Sequence, residues 1–205
     1  MKQLVKKAER HLIKTDSVLA GLIEQHGPCT LFDGNALIHK PGFHVLAWAI
    51  INQQLSVASA KSIETKLLKQ HRAQEFTARR IAALSDAQLA ACGLSRQKIR
   101  YLRALCDAVN TRTLQLDDLA ADSSERVTEV LTALPGIGPW TADMYLMFSL
   151  ARLDILPLGD LALRKAFSQH YPIADNATPA EYHRLAQGWR PYRTIASWYL
   201  WASVD

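Results

Sequence analysis

The sequence predicts an all-α protein, and three observations support this. Apolar residues recur at spacings of three and four, helix-start signals precede many of these runs, and the alternating patterns typical of strands are scarce. The chain has 205 residues, of which 49% are apolar, so it can bury the core of one large domain or of two small lobes. We therefore expect a fold built from packed helices.

The first 56 residues contain segments of three different kinds. Residues 1–16 are amphipathic and basic, whereas 25–40 is the least helical part of the chain and is expected to be an irregular connection. From Phe43 to Ile51 the chain is apolar on nearly every side, which indicates a central, buried helix. This helix is expected to end abruptly in the run Asn52-Gln53-Gln54-Leu55-Ser56.

Capping patterns predict further helix starts. Three pairs have the spacing of a capping box: Ser85 with Gln88, Asp122 with Glu125, and Thr178 with Glu181. Ser95 has the position of an N-cap for a helix with one apolar stripe. The opposite face of that helix, which we expect to be a solvated surface, carries Arg96, Arg100 and Arg103.

The first candidate site is the run Leu134-Pro-Gly-Ile-Gly-Pro-Trp-Thr-Ala142, which lies between two helical patterns. It predicts a helix, a tight hairpin and a second helix. Gly136 and Gly138 permit a positive φ, and Pro139 opens the second helix, whose first amides have no helical acceptor. Such amides suit a phosphate oxygen, although an ordinary turn is the commoner meaning of this glycine pattern alone.

The second candidate site is a loop with an acidic end, Asp154-Ile-Leu-Pro-Leu-Gly-Asp160. Asp160 has the position of an N-cap for the helix that starts at 161. A carboxylate there faces the positive end of the helix dipole, which suits a group that stabilises a developing cation, although most capping aspartates have no further duty. Asp154 and Asp143 are the rival carboxylates, and we rank both below Asp160.

The hairpin, the loop and the aspartate together resemble the helix-hairpin-helix DNA glycosylases, and within them the alkylation-repair branch typified by 3-methyladenine DNA glycosylase II. The resemblance covers about residues 15–203 and includes the segments 43–61, 93–99 and 189–201. It implies a two-lobed helical fold with the active-site cleft between the lobes.

The domain organisation that follows is a single domain, 1–205, without an extra N-terminal β-domain. One lobe is expected at about 40–115 and the other, which carries the hairpin, at about 120–205 together with the N-terminal helix. We expect the boundary near 113–124, where an acidic run follows a basic helix.

The resemblance implies a monofunctional glycosylase of base excision repair. Such an enzyme flips an alkylated purine, of the 3-methyladenine or 7-methylguanine type, out of duplex DNA and hydrolyses its N-glycosidic bond. Asp160 would stabilise the oxocarbenium-like sugar and orient or deprotonate the attacking water. Bifunctional relatives carry a Schiff-base lysine where this chain has Trp140. Two alternatives stay open: a non-catalytic DNA-binding protein with the same hairpin, and a bifunctional glycosylase/lyase of the endonuclease III type.

The family pattern also assigns binding residues. The base pocket would be lined by Trp140, Trp201, Met144, Tyr145 and Trp198, although Tyr145 and Trp198 also suit the core. The loop that enters DNA would be Gln53, Gln54 and Leu55, with Gln54 as the wedge and Gln53 as a brace. The phosphate site would comprise Leu134, Gly136, Ile137, Gly138 and Thr141, supported by Lys61 and Arg164. A monovalent cation, Na+ or K+, would bind the backbone of Thr132, Leu134 and Ile137.

The composition limits which cofactors and partners are to be expected. The three cysteines are far apart and form no CxxC pair, which argues against an iron–sulfur cluster, a zinc site or a disulfide framework. A net charge of +5 weakly favours a polyanion, and the expected partner is double-stranded DNA. No apolar run approaches the roughly 18 residues of a membrane span. We expect a monomer that acts in the cytoplasm of a bacterium, at the nucleoid, or in the nucleus of a eukaryote.

Overall fold

A computed structural model describes residues 2–32, 38, 40–71, 73–174 and 176–204, and within them it contains helices and no β-strand. The predicted all-α fold is thus confirmed for the described part of the chain. The α-helices are α1 (Lys2–Thr15), α2 (Ser17–His26), α3 (Gly42–Asn52), α4 (Val57–His71), α5 (Ala78–Ala83), α6 (Asp86–Ala91), α7 (Arg96–Asn110), α8 (Ser124–Thr132), α9 (Pro139–Phe148), α10 (Leu161–His170), α11 (Pro179–Leu185) and α12 (Arg193–Ala202). Among these, none is long and apolar enough to cross a membrane.

Polar caps begin several of these helices at the predicted residues. Ser85 and Gln88 form the predicted capping box, in which the Ser85 Oγ accepts from the Gln88 amide and the Gln88 Oε1 accepts from the Ser85 amide. The Ser95 Oγ accepts the Lys98 amide at 3.2 Å, as an N-cap does. At α11, the Thr178 amide and hydroxyl both donate to the Glu181 carboxylate, at 2.7 and 2.8 Å.

The predicted pair of Asp122 and Glu125 is wrong by one residue. Helix α8 is capped by Ser123, whose Oγ accepts the Arg126 amide at 3.2 Å. Glu125 therefore lies in the first turn but not three residues after the cap. Hydrogen bonds with its own backbone and with the Ser123 side chain lower the pKa of the Glu125 carboxyl.

The chain divides into two units. The first unit comprises Met1–Ile38 and Ala151–Asp205, and the second comprises His39–Leu150. The predicted boundary near 113–124 lies inside the second unit. There the buried Tyr145 hydroxyl donates to the Leu116 carbonyl at 3.0 Å, which ties this stretch to α9.

Buried polar contacts join the two ends of the chain within the first unit. Asp16, which caps α2, accepts hydrogen bonds from the Tyr171 hydroxyl and the Trp189 indole nitrogen. The Tyr199 hydroxyl of α12 donates to the Glu9 carboxylate of α1 at 2.8 Å. Because buried polar groups are costly when unpaired, these bonds fix the N-terminal helices against α10–α12.

The second unit is built around α3 and α7. Helix α3 is buried along almost its whole length, as its sequence predicts, and it packs on α4, α7 and α9. Arg103 of α7 does not belong to a purely solvated face, since its guanidinium donates to the Asp86 carboxylate and to the Ile81, Ala82 and Leu84 carbonyls. It thereby holds α5 and α6 against α7.

Candidate functional site

The hairpin, Leu134–Gly138, connects α8 to α9 in the second unit and has one residue that must be glycine. Gly136 has a φ of +86°, and a Cβ built there would lie 2.0 Å from the Tyr101 Cγ. Gly138 differs from the prediction, because its φ is −97° and a Cβ there would meet nothing within 4 Å. Only Gly136 therefore uses the left-handed backbone region.

The start of α9 presents its first turn of amides without a side-chain cap. Gly138 is the N-cap and has no side chain to accept a hydrogen bond, and Pro139 follows as the first helical residue. The positive end of the helix dipole adds to these amides, so this terminus can bind an anion. The Ile137 side chain is buried, which anchors the hairpin in the unit.

The loop that follows α3, Gln53–Ser56, is tied to the hairpin by one side chain. The Gln53 Nε2 donates to the Gly136 carbonyl at 2.8 Å and to the Thr141 Oγ1 at 3.0 Å. The brace assigned to Gln53 is therefore present in the contacts of the second unit. Gln54 follows with a φ of +55°, and both it and Leu55 are exposed.

In the first unit, Asp160 caps α10 as predicted, and one of its oxygens receives two hydrogen bonds. The Asp160 Oδ1 accepts the Leu163 amide at 2.9 Å and the Trp201 indole N–H at 3.0 Å. Trp201 was predicted as a base-stacking residue, and the structure adds a hydrogen bond to the carboxylate. Two donors on one oxygen restrict the rotation of the carboxylate, so its position is set before any ligand binds.

The loop that leads to Asp160 is clamped at its other end. Asp154 accepts from Arg193 at 2.6 Å and from Arg190 at 2.9 Å, and the Arg193 guanidinium also donates to the Asp154 carbonyl. The Thr194 hydroxyl donates to the Arg152 carbonyl and accepts the Ile155 amide. Asp154 therefore binds this end of the loop to the start of α12.

Helix α12 therefore holds both ends of this loop. Its first turn carries Arg193 and Thr194, and its last turn carries Trp201. Sequence reasoning missed the clamp, because its members lie 39 to 42 residues apart along the chain. The only sign of it in the sequence is that α12, which is otherwise largely apolar, begins with two polar residues, Arg193 and Thr194.

The five predicted pocket residues fall into two groups. Trp140, Trp198 and Trp201 are half-buried, and the Trp198 ring packs edge-on against Tyr199. Met144 and Tyr145 are buried in the second unit. Tyr145 is only 1% exposed, its hydroxyl is bound to the Leu116 carbonyl, and burial raises its pKa to about 12. These contacts correspond to the core role that the sequence left open for Tyr145.

The candidate phosphate ligands outside the hairpin are both exposed. Lys61 pairs with Glu64 at 3.2 Å on α4, and Arg164 lies in the first turn of α10. Sequence reasoning also missed Lys98, whose Nζ donates to the Ile51 and Gln53 carbonyls. The sequence could have pointed to Lys98, because it lies in the segment 93–99 that resembles the glycosylase family. The arginines of the same helix were expected to be solvated.

Comparison with known proteins gives consistent matches. Residues 47–191 match the family described as HhH-GPD superfamily base excision DNA repair protein. The alkylbase DNA glycosidase-like protein mag2 of Schizosaccharomyces pombe is 33% identical over 96% of this chain and 92% of its own length. DNA-3-methyladenine glycosylase 1 of Schizosaccharomyces pombe is 29% identical over 95% of this chain and 86% of its own length.

Solved structures agree with the sequence matches. The Schizosaccharomyces pombe 3-methyladenine DNA glycosylase in complex with abasic DNA superposes with a TM-score of 0.86, at 29% identity and 96% coverage of both chains. The DNA-3-methyladenine glycosidase of Bacillus halodurans superposes with a TM-score of 0.75, at 32% identity, over 97% of this chain and 89% of that chain.

Proposed function

Because the chain belongs to the HhH-GPD superfamily of base excision DNA repair proteins, we propose that it is a DNA glycosylase acting on alkylated purines. It hydrolyses the N-glycosidic bond of bases of the 3-methyladenine and 7-methylguanine type in double-stranded DNA and leaves an abasic site. The relatives named as 3-methyladenine glycosylases, which align with nearly the whole chain, support this substrate class. The observation that carries the proposal is the Asp160 carboxylate, fixed at the start of α10 by the Leu163 amide and the Trp201 indole.

Asp160 acts on the sugar rather than on the base. As the glycosidic bond breaks, positive charge develops on the sugar ring, and a nearby carboxylate stabilises it. An alkylated purine already carries a positive charge, so it leaves without a strong general acid. The same carboxylate can orient the attacking water or accept its proton.

Base recognition requires the nucleotide to leave the duplex, at a cost of a few kcal/mol of unstacking. The exposed Gln54, with Leu55 beside it, supplies a side chain that can fill the vacated space. In the first unit, the half-buried rings of Trp198 and Trp201 can stack on a cationic base, which an aromatic face attracts. In the second unit, the half-buried ring of Trp140 is a separate candidate for the same role.

The phosphate backbone is bound by the hairpin and the first turn of α9. The amides of that turn and the helix dipole bind a phosphate oxygen without requiring a lysine or arginine. A Na+ or K+ ion would fit beside them on the carbonyls of Thr132, Leu134 and Ile137, since neutral oxygens suit alkali cations. Helix α8 ends at Thr132, so its last carbonyls lack helical donors, and the Leu134 carbonyl accepts only the Ile137 amide at 3.2 Å among the described backbone contacts. When bound there, the ion would supply a positive charge that attracts the phosphate.

The reaction is hydrolysis without strand cleavage. Trp140, at the second position of α9, occupies the place of the Schiff-base lysine of bifunctional relatives and has no amine to attack the sugar. We further propose that the protein acts as a monomer and that it is found where the DNA of the cell lies, in the cytoplasm of a bacterium or the nucleus of a eukaryote.

The test compares the wild type with Asp160→Asn on duplex DNA treated with a methylating agent. The released bases are identified by chromatography, and strand breaks are measured before and after alkali. We expect Asp160→Asn to lower the single-turnover rate by a factor of about 100 or more, while binding to an abasic duplex is kept. Asp107→Asn, at an exposed position of α7, is the matched control and should excise normally.

Three results would contradict parts of the proposal. Equal base release by Asp160→Asn would remove its assigned role. Strand breaks before alkali would show lyase chemistry. A wild type that binds abasic DNA but releases no base would indicate a non-catalytic binding protein.

A further inference from the structure

Lys98 of α7 supports the end of α3, at the base of the loop Gln53–Ser56. Its Nζ donates to the Ile51 carbonyl at 2.6 Å and to the Gln53 carbonyl at 2.7 Å. The last carbonyls of a helix lack helical donors and carry the negative end of its dipole, so an ammonium group is well matched to them. Lys98 is half-buried, and this burial lowers the pKa of its ammonium group.

The residue that Lys98 holds by its backbone is also bound through its side chain. The two N–H groups of the Gln53 amide donate to the Gly136 carbonyl and the Thr141 Oγ1, at 2.8 and 3.0 Å. An amide nitrogen has only two hydrogens, so both are used. Gln53 is thus fixed to α7 on one side and to the hairpin on the other.

Helix α7 also contacts the hairpin directly, through a residue one turn after Lys98. The ring of Tyr101 lies directly against Gly136, close enough that a Cβ at Gly136 would be 2.0 Å from its Cγ. Residues three apart on a helix share a face, so Lys98 and Tyr101 project from α7 side by side. One helix face therefore supports both the loop and the hairpin.

The loop beyond Gln53 presents exposed side chains on this fixed base. Gln54 has a φ of +55°, a conformation that non-glycine residues keep only when their surroundings hold them. After it, Leu55 is 40% exposed and Val57 is 83% exposed. Exposed apolar side chains next to a strained residue are typical of a functional surface rather than of a stabilising one.

We infer that Lys98 is a positioning residue, which sets the exposed tip of Gln54 and Leu55 in a fixed register with the phosphate-binding hairpin. The inference rests on the proposed function, because it assumes that the tip enters DNA while the hairpin binds a phosphate. With the register fixed, binding of the phosphate also places the tip. Loss of Lys98 should therefore impair opening of the duplex more than binding to it.

The experiment uses Lys98→Met, which keeps the apolar stem of the side chain but removes its donors, and Lys98→Arg, which restores them. Excision is measured in single turnover on two substrates of the same sequence, a methylated duplex and the corresponding methylated single strand. For Lys98→Met we expect the rate on the duplex to fall about tenfold to a hundredfold, as befits the loss of charge-assisted hydrogen bonds, and the rate on the single strand to change less than about twofold. Lys98→Arg should recover most of the duplex rate. Lys66→Met, at an exposed position of α4, is the matched control and should match the wild type.

A second readout does not depend on chemistry. A duplex with 2-aminopurine beside an abasic analogue brightens when the neighbouring stack opens, so the fluorescence change on binding measures insertion. Lys98→Met should bind this duplex but give a much smaller change than the wild type. If the wild type excised nothing yet still gave the fluorescence change, the proposed catalysis would fail while the positioning role would stand.

Equal losses on duplex and single strand, or no loss on either, would overturn the inference. Should Lys98→Met not fold, as judged by its thermal unfolding, Gln53→Ala provides the second variant, because it removes only the side-chain link to the hairpin. It should show the same loss confined to the duplex, and the absence of that pattern would also overturn the inference.

Discussion

Replacement of Gly136 by alanine should destabilise the second unit and weaken DNA binding, whereas the same change at Gly138 should leave the stability nearly unchanged. The two glycines are two residues apart in one hairpin, yet their surroundings are opposite. A Cβ at Gly136 would be 2.0 to 2.5 Å from three ring atoms of Tyr101, and the backbone there has a φ of +86°. At Gly138 the φ is −97° and nothing lies within 4 Å of the added atom.

The size of the effect follows from two separate terms. A left-handed conformation costs a residue with a Cβ about 1–2 kcal/mol. Overpacking against the Tyr101 ring adds about 1–3 kcal/mol. Tyr101 is half-buried, so its ring can swing aside, but it then loses its packing on the hairpin. We expect Gly136→Ala to lower the free energy of unfolding by about 2–5 kcal/mol, and Gly138→Ala by less than about 1 kcal/mol.

Urea unfolding of the two variants, followed by circular dichroism, measures both values, and binding to an abasic duplex is measured on the same samples. The double variant Tyr101→Ala/Gly136→Ala separates the two terms. Relative to Tyr101→Ala alone, the alanine at Gly136 should cost only the backbone term of about 1–2 kcal/mol. Equal stability of Gly136→Ala and Gly138→Ala, or an effect of Gly136→Ala that persists in full after removal of the Tyr101 ring, would refute this prediction.

Three further predictions concern other parts of the molecule. Trp201→Phe keeps an aromatic ring but removes the donor to Asp160, so the single-turnover excision rate should fall about tenfold to a hundredfold with abasic-DNA binding nearly unchanged; an unchanged rate would show that this bond is dispensable. Burial lowers the pKa of His44 from 6.5, and its Nδ1 accepts a hydrogen bond from the Phe76 amide. Just below pH 6.5, His44 is therefore protonated in the unfolded chain but still neutral in the folded one. The contribution of His44 to the stability of the folded state is therefore complete above pH 6.5 and is lost as the pH falls below that value. The difference in urea midpoint between pH 7.5 and pH 5.5 should be smaller in His44→Gln than in the wild type, and an equal difference would contradict this role of His44. Burial also raises the pKa of Cys106 to about 12, so native protein at pH 8 should not be labelled there by a thiol reagent, whereas unfolded protein should be; rapid native labelling would contradict its burial.

Local signals were sufficient for the helices and for most of their first residues. The caps Ser85, Ser95 and Asp160 are satisfied within four residues of themselves, so their pattern is visible in the sequence. The failure at Asp122 has the same origin. Asp122 and Ser123 are neighbouring residues of types that both serve well as N-caps, and a local pattern does not decide between them; the structure has Ser123 as the cap.

The two candidate sites were located from the sequence, but their supports were not. Trp201 reaches Asp160 over 41 residues, and Lys98 reaches Gln53 over 45. No spacing rule covers contacts of that length, because they depend on how helices pack rather than on helical periodicity. The distinction between Gly136 and Gly138 was hidden for a related reason, since the ring that makes Gly136 necessary lies on a different helix.

The charge of the chain also has a different meaning once its cations are located. Lys98 and Arg103 donate to backbone carbonyls of the second unit, and Arg193 is held by Asp154 in the first. Because these cations are bound within the protein, the positive charge that its surface presents to DNA is smaller than the net charge of +5 indicates. Binding of a phosphate by amides at the start of α9 needs no side-chain charge. For the proposed function the hairpin has to be rigid, so we expect loss of the contacts of Tyr101, Lys98 and Gln53 to weaken DNA binding and base excision more than loss of an exposed basic residue.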